Sequence, residues 1–169
     1  EAQTETVWRQ ADKYRVPRIA FVNKMDRIGA EFSRVVGEIE EMLNAVAVPI
    51  HHPIGAEDAF RGVVDLITMK ARVHHDDTGD KFEDADIPAD LLAASKAARD
   101  KMVERICEND DVLMERYLAG DTKFTVEELQ AGLRRATIAL KVTPVLCGSS
   151  FKNKGVQKLL DAVCDYLPS

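Results

Sequence analysis

The sequence predicts an α/β protein in which a parallel β-sheet carries an inserted subdomain of mixed α and β structure. A short apolar strand stands between two amphipathic helices near the N-terminus, and a strand followed by a helix returns near the C-terminus. More than a hundred residues separate the two strands. A β-α-β crossover needs only about a dozen residues or somewhat more. The excess therefore predicts a unit inserted between the two halves of the sheet.

Composition is compatible with a packed core. The chain has 169 residues, of which 46% are hydrophobic, enough for one domain with a modest insertion. No apolar stretch approaches the length of a membrane span. The acidic, polar N-terminal residues do not resemble a secretory signal peptide. Three widely spaced cysteines favour buried thiols in a reducing compartment, so we expect a cytoplasmic protein.

The N-terminal part has the order helix, strand, helix. Apolar residues at helical spacing predict a helix over residues 4–14, and Pro17 ends it. The apolar run 19–22 predicts a short buried strand. A second helix is predicted over about residues 30–44, with glutamates on its outer side. Its apolar stripe is Phe32, Val35, Val36, Ile39 and Leu43.

The middle of the chain has a different pattern. Residues 48–54 are expected to be extended. Residues 61–73 are rich in β-branched side chains and are predicted as strand, and the polar residues 74–86 are predicted as a loop.

Two helical stretches follow, over about residues 89–118 and 126–140. The run 109–111, Asn-Asp-Asp, is expected to break the first one. Thr125, with Glu128 three residues later, predicts a capping box at the start of the second.

Near the C-terminus, residues 143–147 predict another buried strand, and residues 148–150, Gly-Ser-Ser, predict a turn. A helix is expected from about Val156, and Pro168 follows its end. Its apolar stripe is Val156, Leu159, Leu160, Val163 and Leu167.

Charge is unevenly spread. Residues 46–140 hold 19 of the 29 acidic residues and 12 of the 23 basic ones, so this segment has a net charge of −7 and the remainder has +1. We therefore divide the chain into a core, residues 1–45 and 141–169, and an acidic insert, residues 46–140. An acidic surface does not favour nucleic acid as a direct partner of the insert.

Polar residues follow both predicted strands of the core, at 23–26 and 148–150. Ligands of open α/β sheets bind outside the carboxyl ends of the strands. A fixed carboxylate at Asp26 offers two acceptor oxygens, which fit the two adjacent N–H donors of guanine. Adenine lacks this pair of donors. This pattern favours a guanine site, although any strand that reaches the surface ends in polar residues.

The neighbouring residues have candidate roles in the same site. Asn23 supplies an amide that can bridge the base and nearby backbone, and Lys24 can lay its methylene stem over the ring. The backbone N–H groups of Ser149 and Ser150 are expected to point at the carbonyl oxygen of the base.

Other polar residues are assigned no chemistry. Adjacent histidines at 51–52 and 74–75 point to opposite faces of a strand, so a metal site is not expected there. Lys152 and Lys154, beside the last turn, are expected to be solvated, with neutralisation of a bound nucleotide as the alternative.

Two long stretches resemble the GTP-binding domain of the elongation factor G family. They are VPRIAFVNKMDRIGA (16–30) and VLCGSSFKNKGVQKLLDAVCDYLPS (145–169), and GVVDLITMKA (62–71) and DADIPAD (84–90) suit the subdomain inserted in that family. The resemblance covers essentially the whole chain. It implies a partial P-loop-NTPase-like parallel sheet with an inserted α+β subdomain.

By this resemblance, Asn23, Lys24 and Asp26 match the guanine-specificity motif of the family. Ser149 and Ser150 match its last nucleotide motif, in which the family usually has Ala at the position of Ser150. We expect the change to be tolerated, because that position supplies a backbone N–H. The implied cofactor is GTP or GDP, of which this sequence would hold the guanine half.

The sequence contains no G-x-x-x-x-G-K-[ST] phosphate loop. In the family, the segments that bind phosphate and Mg²⁺ come before the position that corresponds to residue 1 of this sequence. We therefore expect the C-terminal part of a GTP-binding domain, with no Mg²⁺ ligands. These residues alone should neither hydrolyse GTP nor bind it tightly.

For the full-length protein, the resemblance implies a GTPase that promotes ribosomal translocation, with residues 46–140 contacting the ribosomal stalk protein. Two alternatives stay open. One is another ribosomal GTPase, of the release-factor recycling or ribosomal protection type. The other is a stand-alone module that binds the ribosomal stalk and whose nucleotide turns are relics.

Overall fold

The structure, a computed structural model, describes residues 2–26, 31–76, 78, 80–150 and 152–169. Short 3-10 helices at Glu57–Ala59 and Ala89–Leu91 accompany the main elements. In chain order, the main elements are α1 Ala2–Lys13, β1 Ala20–Val22, α2 Phe32–Met42, β2 Ala47–Pro49, β3 His51–Ile54, β4 Gly62–Asp65, β5 Lys70–His74, β6 Phe82–Ala85, α3 Leu92–Glu108, α4 Asp111–Leu118, α5 Val126–Ile138, β7 Thr143–Cys147 and α6 Val156–Tyr166.

Three strands form a parallel sheet in the order β1-β7-β2. The central strand β7 pairs with β1 from Ala20↔Val145 to Val22↔Cys147, and with β2 from Ala47↔Thr143 to Pro49↔Val145. All five residues of β7 are buried, as expected of a strand that is covered on both faces. The predicted α/β class is confirmed.

The second sheet is antiparallel, in the order β3-β4-β5-β6, and helices α3, α4 and α5 follow it in the chain. Strand β2, inside the range 46–140 that we assigned to the insert, lies in the parallel sheet instead. One apolar cluster includes Val48 of β2, Ile54 of β3, Ile106 of α3 and Leu146 of β7. The two sheets therefore share a core, and the boundaries of the insert along the chain stay a prediction.

Residues 61–73 form two strands and a turn, where the sequence predicted one strand. The carboxylate of Asp65 accepts hydrogen bonds from the backbone N–H groups of Ile67, at 2.9 Å, and Thr68, at 3.3 Å. Met69 then adopts a left-handed backbone, with φ of 57°. An aspartate that bonds to the backbone ahead of it favours a turn, so the chain reverses although its side chains are β-formers.

The predicted loop 74–86 contains a strand, β6, at the edge of the antiparallel sheet. Its residue Asp84 lies opposite Arg72 of β5, and the two form a bidentate ion pair with distances of 2.8 and 3.0 Å. The same guanidinium lies over the ring of Phe82, 4.3 Å from its centroid. These cross-strand contacts stabilise a segment whose own composition disfavours a strand.

Helix α6 begins at Val156 as predicted, but its buried face is rotated from the predicted stripe. Ala162 and Tyr166 are buried, whereas Leu160 is 62% and Val163 is 41% exposed. The face that packs on the core runs through Leu159, Ala162 and Tyr166, at intervals of three and four residues.

Asp110 joins α4 to α5. Its side chain is buried and caps α4 by accepting the backbone N–H of Leu113 at 3.2 Å, which confirms the predicted break at 109–111. Arg135 of α5 donates two hydrogen bonds of 2.8 Å to the carboxylate and holds the pKa of Asp110 below its ordinary value. The predicted capping box of Thr125 and Glu128 is also present at the start of α5.

We predict that Asp110→Ala lowers the free energy of unfolding by about 1–3 kcal/mol, because it removes a helix cap and the hydrogen bonds that the half-exposed Arg135 donates to this carboxylate. Urea denaturation measures the change. Since the pKa of Asp110 is lower in the folded state, its contribution is complete above about pH 4 and declines as the pH falls through that lowered pKa. Asp111→Ala, which changes the exposed neighbour, is the control. Equal losses for the two variants would contradict the prediction.

His51 makes the stability sensitive to acid. It is buried, lies opposite Asp65 across β3 and β4, and has its pKa lowered from 6.5 to about 4 by burial, although the Asp65 carboxylate opposes this shift. The unfolded chain therefore takes up a proton at a higher pH than the folded chain does.

We predict that stability falls by about 3 kcal/mol through this histidine as the pH drops from 6.5 to 4. His51→Leu should flatten the dependence of the unfolding free energy on pH in that window. A His51→Leu variant with the wild-type slope would disprove this assignment.

Candidate functional site

Two loops meet at the carboxyl ends of β1 and β7. Because Val22 pairs with Cys147 in parallel, the loops 23–26 and 148–150 leave the sheet side by side. The backbone N–H of Gly148 donates to Val22 O at 3.0 Å, and that of Met25 donates to Gly148 O at 3.1 Å. The structure thus brings all of the predicted site residues into one place.

Asp26 is held by the opposite loop. The Ser149 hydroxyl donates to Oδ1 of Asp26 at 2.5 Å, and Ser149 is completely buried whereas Asp26 is half-buried. A hydrogen bond to an ionised carboxylate is stronger than one between neutral groups. Asp26 is therefore positioned from within the protein.

Asn23 ties the two loops together through its side-chain oxygen. Oδ1 accepts the backbone N–H of Lys24 at 2.8 Å, the backbone N–H of Ser150 at 2.9 Å and the hydroxyl of Ser150 at 3.0 Å. Lys24 has a left-handed backbone, with φ of 61°, which is uncommon for a residue with a side chain. The Asn23 side chain stabilises this conformation, and the Lys24 side chain is exposed.

The expectation for the backbone donors of Ser149 and Ser150 is corrected by the structure. The Ser149 N–H donates to Lys154 O at 2.8 Å, and the Ser150 N–H is used by Asn23. Both N–H groups therefore donate within the protein and not to a ligand, contrary to the prediction. They hold the loop in shape, and the Ser150 side chain stays exposed.

Lys154 was predicted to be solvated, but it is buried at 6% exposure. Its ammonium donates to Phe60 O at 3.3 Å, and its backbone exchanges two hydrogen bonds of 2.8 Å with Ser149. Asn153 and Gly155 on either side have positive φ values of 52° and 84°. Asn and Gly in this spacing are turn residues, which was the available signal that the chain folds back here.

Met25 is a second residue that was not predicted to have a role in the site. Its side chain is 1% exposed and packs in a cluster with Val22, Phe60, Val145 and Cys147. Its carbonyl accepts the backbone N–H of Glu57 at 3.0 Å. The residue between Lys24 and Asp26 is thus anchored below the loop.

Within the described ranges, no group of three or more His, Cys, Asp or Glu side chains is placed to hold a metal ion. The same ranges contain no helix that is both long and apolar enough to span a bilayer.

The arrangement is a half-exposed carboxylate held by the Ser149 hydroxyl, between two loops. Several backbone N–H groups of these loops donate within the protein, namely those of Lys24, Met25, Gly148, Ser149 and Ser150. Such a carboxylate can accept two N–H groups from one edge of a planar ring, and a rigid acceptor pair selects strongly against rings that lack those donors.

Comparison with known proteins identifies a structural relative and a protein family. A crystal structure of a protein from Thermus thermophilus superposes on this chain with a TM-score of 0.85 and 26% sequence identity, over 98% of this chain and 24% of that one. The chain thus spans about a quarter of the length of that protein. A family model, the elongation factor Tu GTP binding domain, matches residues 1–169. With the whole sequence matched, the chain belongs to the family of the elongation factor Tu GTP binding domain.

Proposed function

We propose that this chain is the guanine-recognising part of a translational GTPase of the elongation factor G type, which promotes translocation on the ribosome in the cytoplasm. The family membership supports a translational GTPase. The observation that carries the assignment of the site is the Asp26 carboxylate, held by Ser149 where the two loops meet.

Guanine recognition follows from the chemistry of Asp26. Its two oxygens accept the N1–H and the exocyclic amine of guanine, whereas adenine presents no such pair of donors. The buried Ser149 hydroxyl keeps the carboxylate from rotating. Lys24 covers one face of the ring with its methylene groups and keeps its ammonium in water. Asn23 acts on the ligand indirectly, because its oxygen holds the two loops together.

GTP hydrolysis and Mg²⁺ binding are assigned to other segments of the full-length protein. This sequence has no phosphate-cradling loop. We therefore assign selection of the base to the loops 23–26 and 148–150.

The insert, residues 46–140, is proposed to contact the ribosomal stalk protein. Its formal charge of −7 favours a basic partner surface, because opposite charges steer association.

We predict that Asp26→Asn in the full-length protein weakens GDP binding by about a hundredfold and strengthens binding of xanthosine diphosphate. An amide offers one acceptor and one donor, which match the N1–H and the C2 carbonyl of xanthine. Competition against a fluorescent guanine nucleotide measures both affinities. Asp100→Asn, on the exposed side of α3, is the control and should bind like the wild type. An Asp26→Asn variant that still prefers guanine would refute the assignment.

The two serines should differ in effect. Ser149→Ala removes the hydroxyl that holds Asp26, so we expect the Kd for GDP to rise about tenfold. Ser150→Ala removes an exposed hydroxyl and keeps the backbone N–H that donates to Asn23, so we expect a rise below about threefold. Titration calorimetry of the full-length variants compares them. A larger effect at Ser150 than at Ser149 would contradict this reading of the loops.

A further inference from the structure

The turn between β3 and β4, residues 55–60, packs directly beneath the two loops of the guanine site. We propose that this turn, together with the buried ammonium of Lys154, positions the guanine loops and slows nucleotide release. This inference rests on the proposed function, since it takes guanine nucleotide as the ligand. Lys154 and the turn are positioning elements, because neither is part of the surface that would touch the base.

The first connection runs through Met25. On one side, its N–H donates to Gly148 O at 3.1 Å in the opposite guanine loop. On the other side, its carbonyl accepts the N–H of Glu57 from the turn at 3.0 Å. The side chain of Met25 is 1% exposed and packs with Phe60. The two peptide units on either side of Met25, the second of which leads into Asp26, are therefore fixed by the neighbouring loop and by the turn.

The second connection runs through Lys154. Its two backbone hydrogen bonds with Ser149 fix the loop that holds Asp26, and its ammonium reaches the carbonyl of Phe60 in the turn. A buried ammonium loses its hydration, so its bond to a carbonyl holds the two segments together more firmly than an exposed lysine would. One residue thus joins the second guanine loop to the same turn.

The turn is held in place by close packing, by its own backbone hydrogen bonds and by the burial of Phe60. Gly55 has φ of 76°, and a Cβ built on it would lie 2.1 Å from Ala59 O. Backbone hydrogen bonds of 3.0–3.1 Å join Ala59 to Ala56 and Phe60 to Glu57. The ring of Phe60 is 2% exposed. A support of this kind reduces the conformational freedom that the loops must lose when they bind a ligand.

The test compares the rate of GDP release from full-length variants in stopped-flow fluorescence. Lys154→Met keeps the apolar stem and removes the ammonium, and we expect release to become about tenfold faster. Lys158→Met is the matched control. Lys158 donates from α6 to Asp65 at 2.9 Å and is also largely buried, so its loss lowers stability without touching either loop. Its release rate should stay within about twofold of the wild type.

A second measurement needs no variant. By thermodynamic linkage, a turn that stabilises the loops must itself be stabilised when the loops bind nucleotide. Saturating GDP should slow hydrogen exchange of the amides at 55–60 in the full-length wild type by about threefold or more, with Glu57 as the key reporter. The amides of β6, at the far edge of the antiparallel sheet, serve as the internal control and should not change.

The outcomes separate this inference from the proposed function. If the wild type does not bind GDP, or binds it independently of Asp26, the proposed function fails. If GDP binding depends on Asp26 but Lys154→Met releases GDP at the wild-type rate, only the positioning inference fails. An equal acceleration in Lys158→Met would also overturn it, because loss of stability alone would explain the effect. Should Lys154→Met not fold, unchanged exchange at 55–60 in the wild type would overturn the inference, and slowed exchange would support it.

Discussion

Strand β7 is the constraint on which the rest of the structure depends. It is buried over its whole length and pairs on both sides, with β1 on one edge and β2 on the other. The β1 edge brings loops 23–26 and 148–150 together. On the β2 edge, the carbonyl of Val145 accepts the N–H of Ile50 at 3.0 Å, just where the chain turns into the antiparallel sheet. One five-residue strand therefore places both the candidate site and the second sheet.

The same strand pairing brings the two sheets onto a common core. Asp65, in the antiparallel sheet, pairs with Lys158 on α6, and its carboxylate also makes the turn after β4. Tyr166, at the end of α6, is buried in the same apolar cluster as Leu66 of that turn. Polar and apolar contacts thus join the insert, residues 46–140, to the core. Charge composition separated these two parts, but packing does not follow the distribution of surface charge.

Local signals in the sequence were sufficient for most helices, for the two core strands and for the caps at Asp110 and Thr125. The hairpin in 61–73 was missed because its turn contains the buried residues Leu66 and Ile67, which look like strand residues in sequence. Strand β6 was missed because it is held by cross-strand pairs such as Arg72 with Asp84. Such pairs become visible only when the partner strand is known.

In the candidate site, too, features set by local sequence were predicted, and features set by contacts between distant segments were not. Asp26 and its neighbours were found from residue type and position after a strand, which are local features. The burial of Lys154 was not predictable in this way, because its partner Phe60 lies 94 residues earlier in the chain. The engagement of the backbone donors of Ser149 and Ser150 likewise depends on how two distant loops meet.

The hydrogen bond between Asp26 and Ser149 spans 123 positions of the chain. Closing a loop of this length costs conformational entropy, which only the contacts formed afterwards offset. We therefore expect this pair to form late in folding, with the other non-local contacts. During synthesis, the aspartate leaves the ribosome long before its serine partner exists. The binding cleft is consequently a product of completed folding, and a nascent chain acquires it only after β7 has inserted between the two strands made before it.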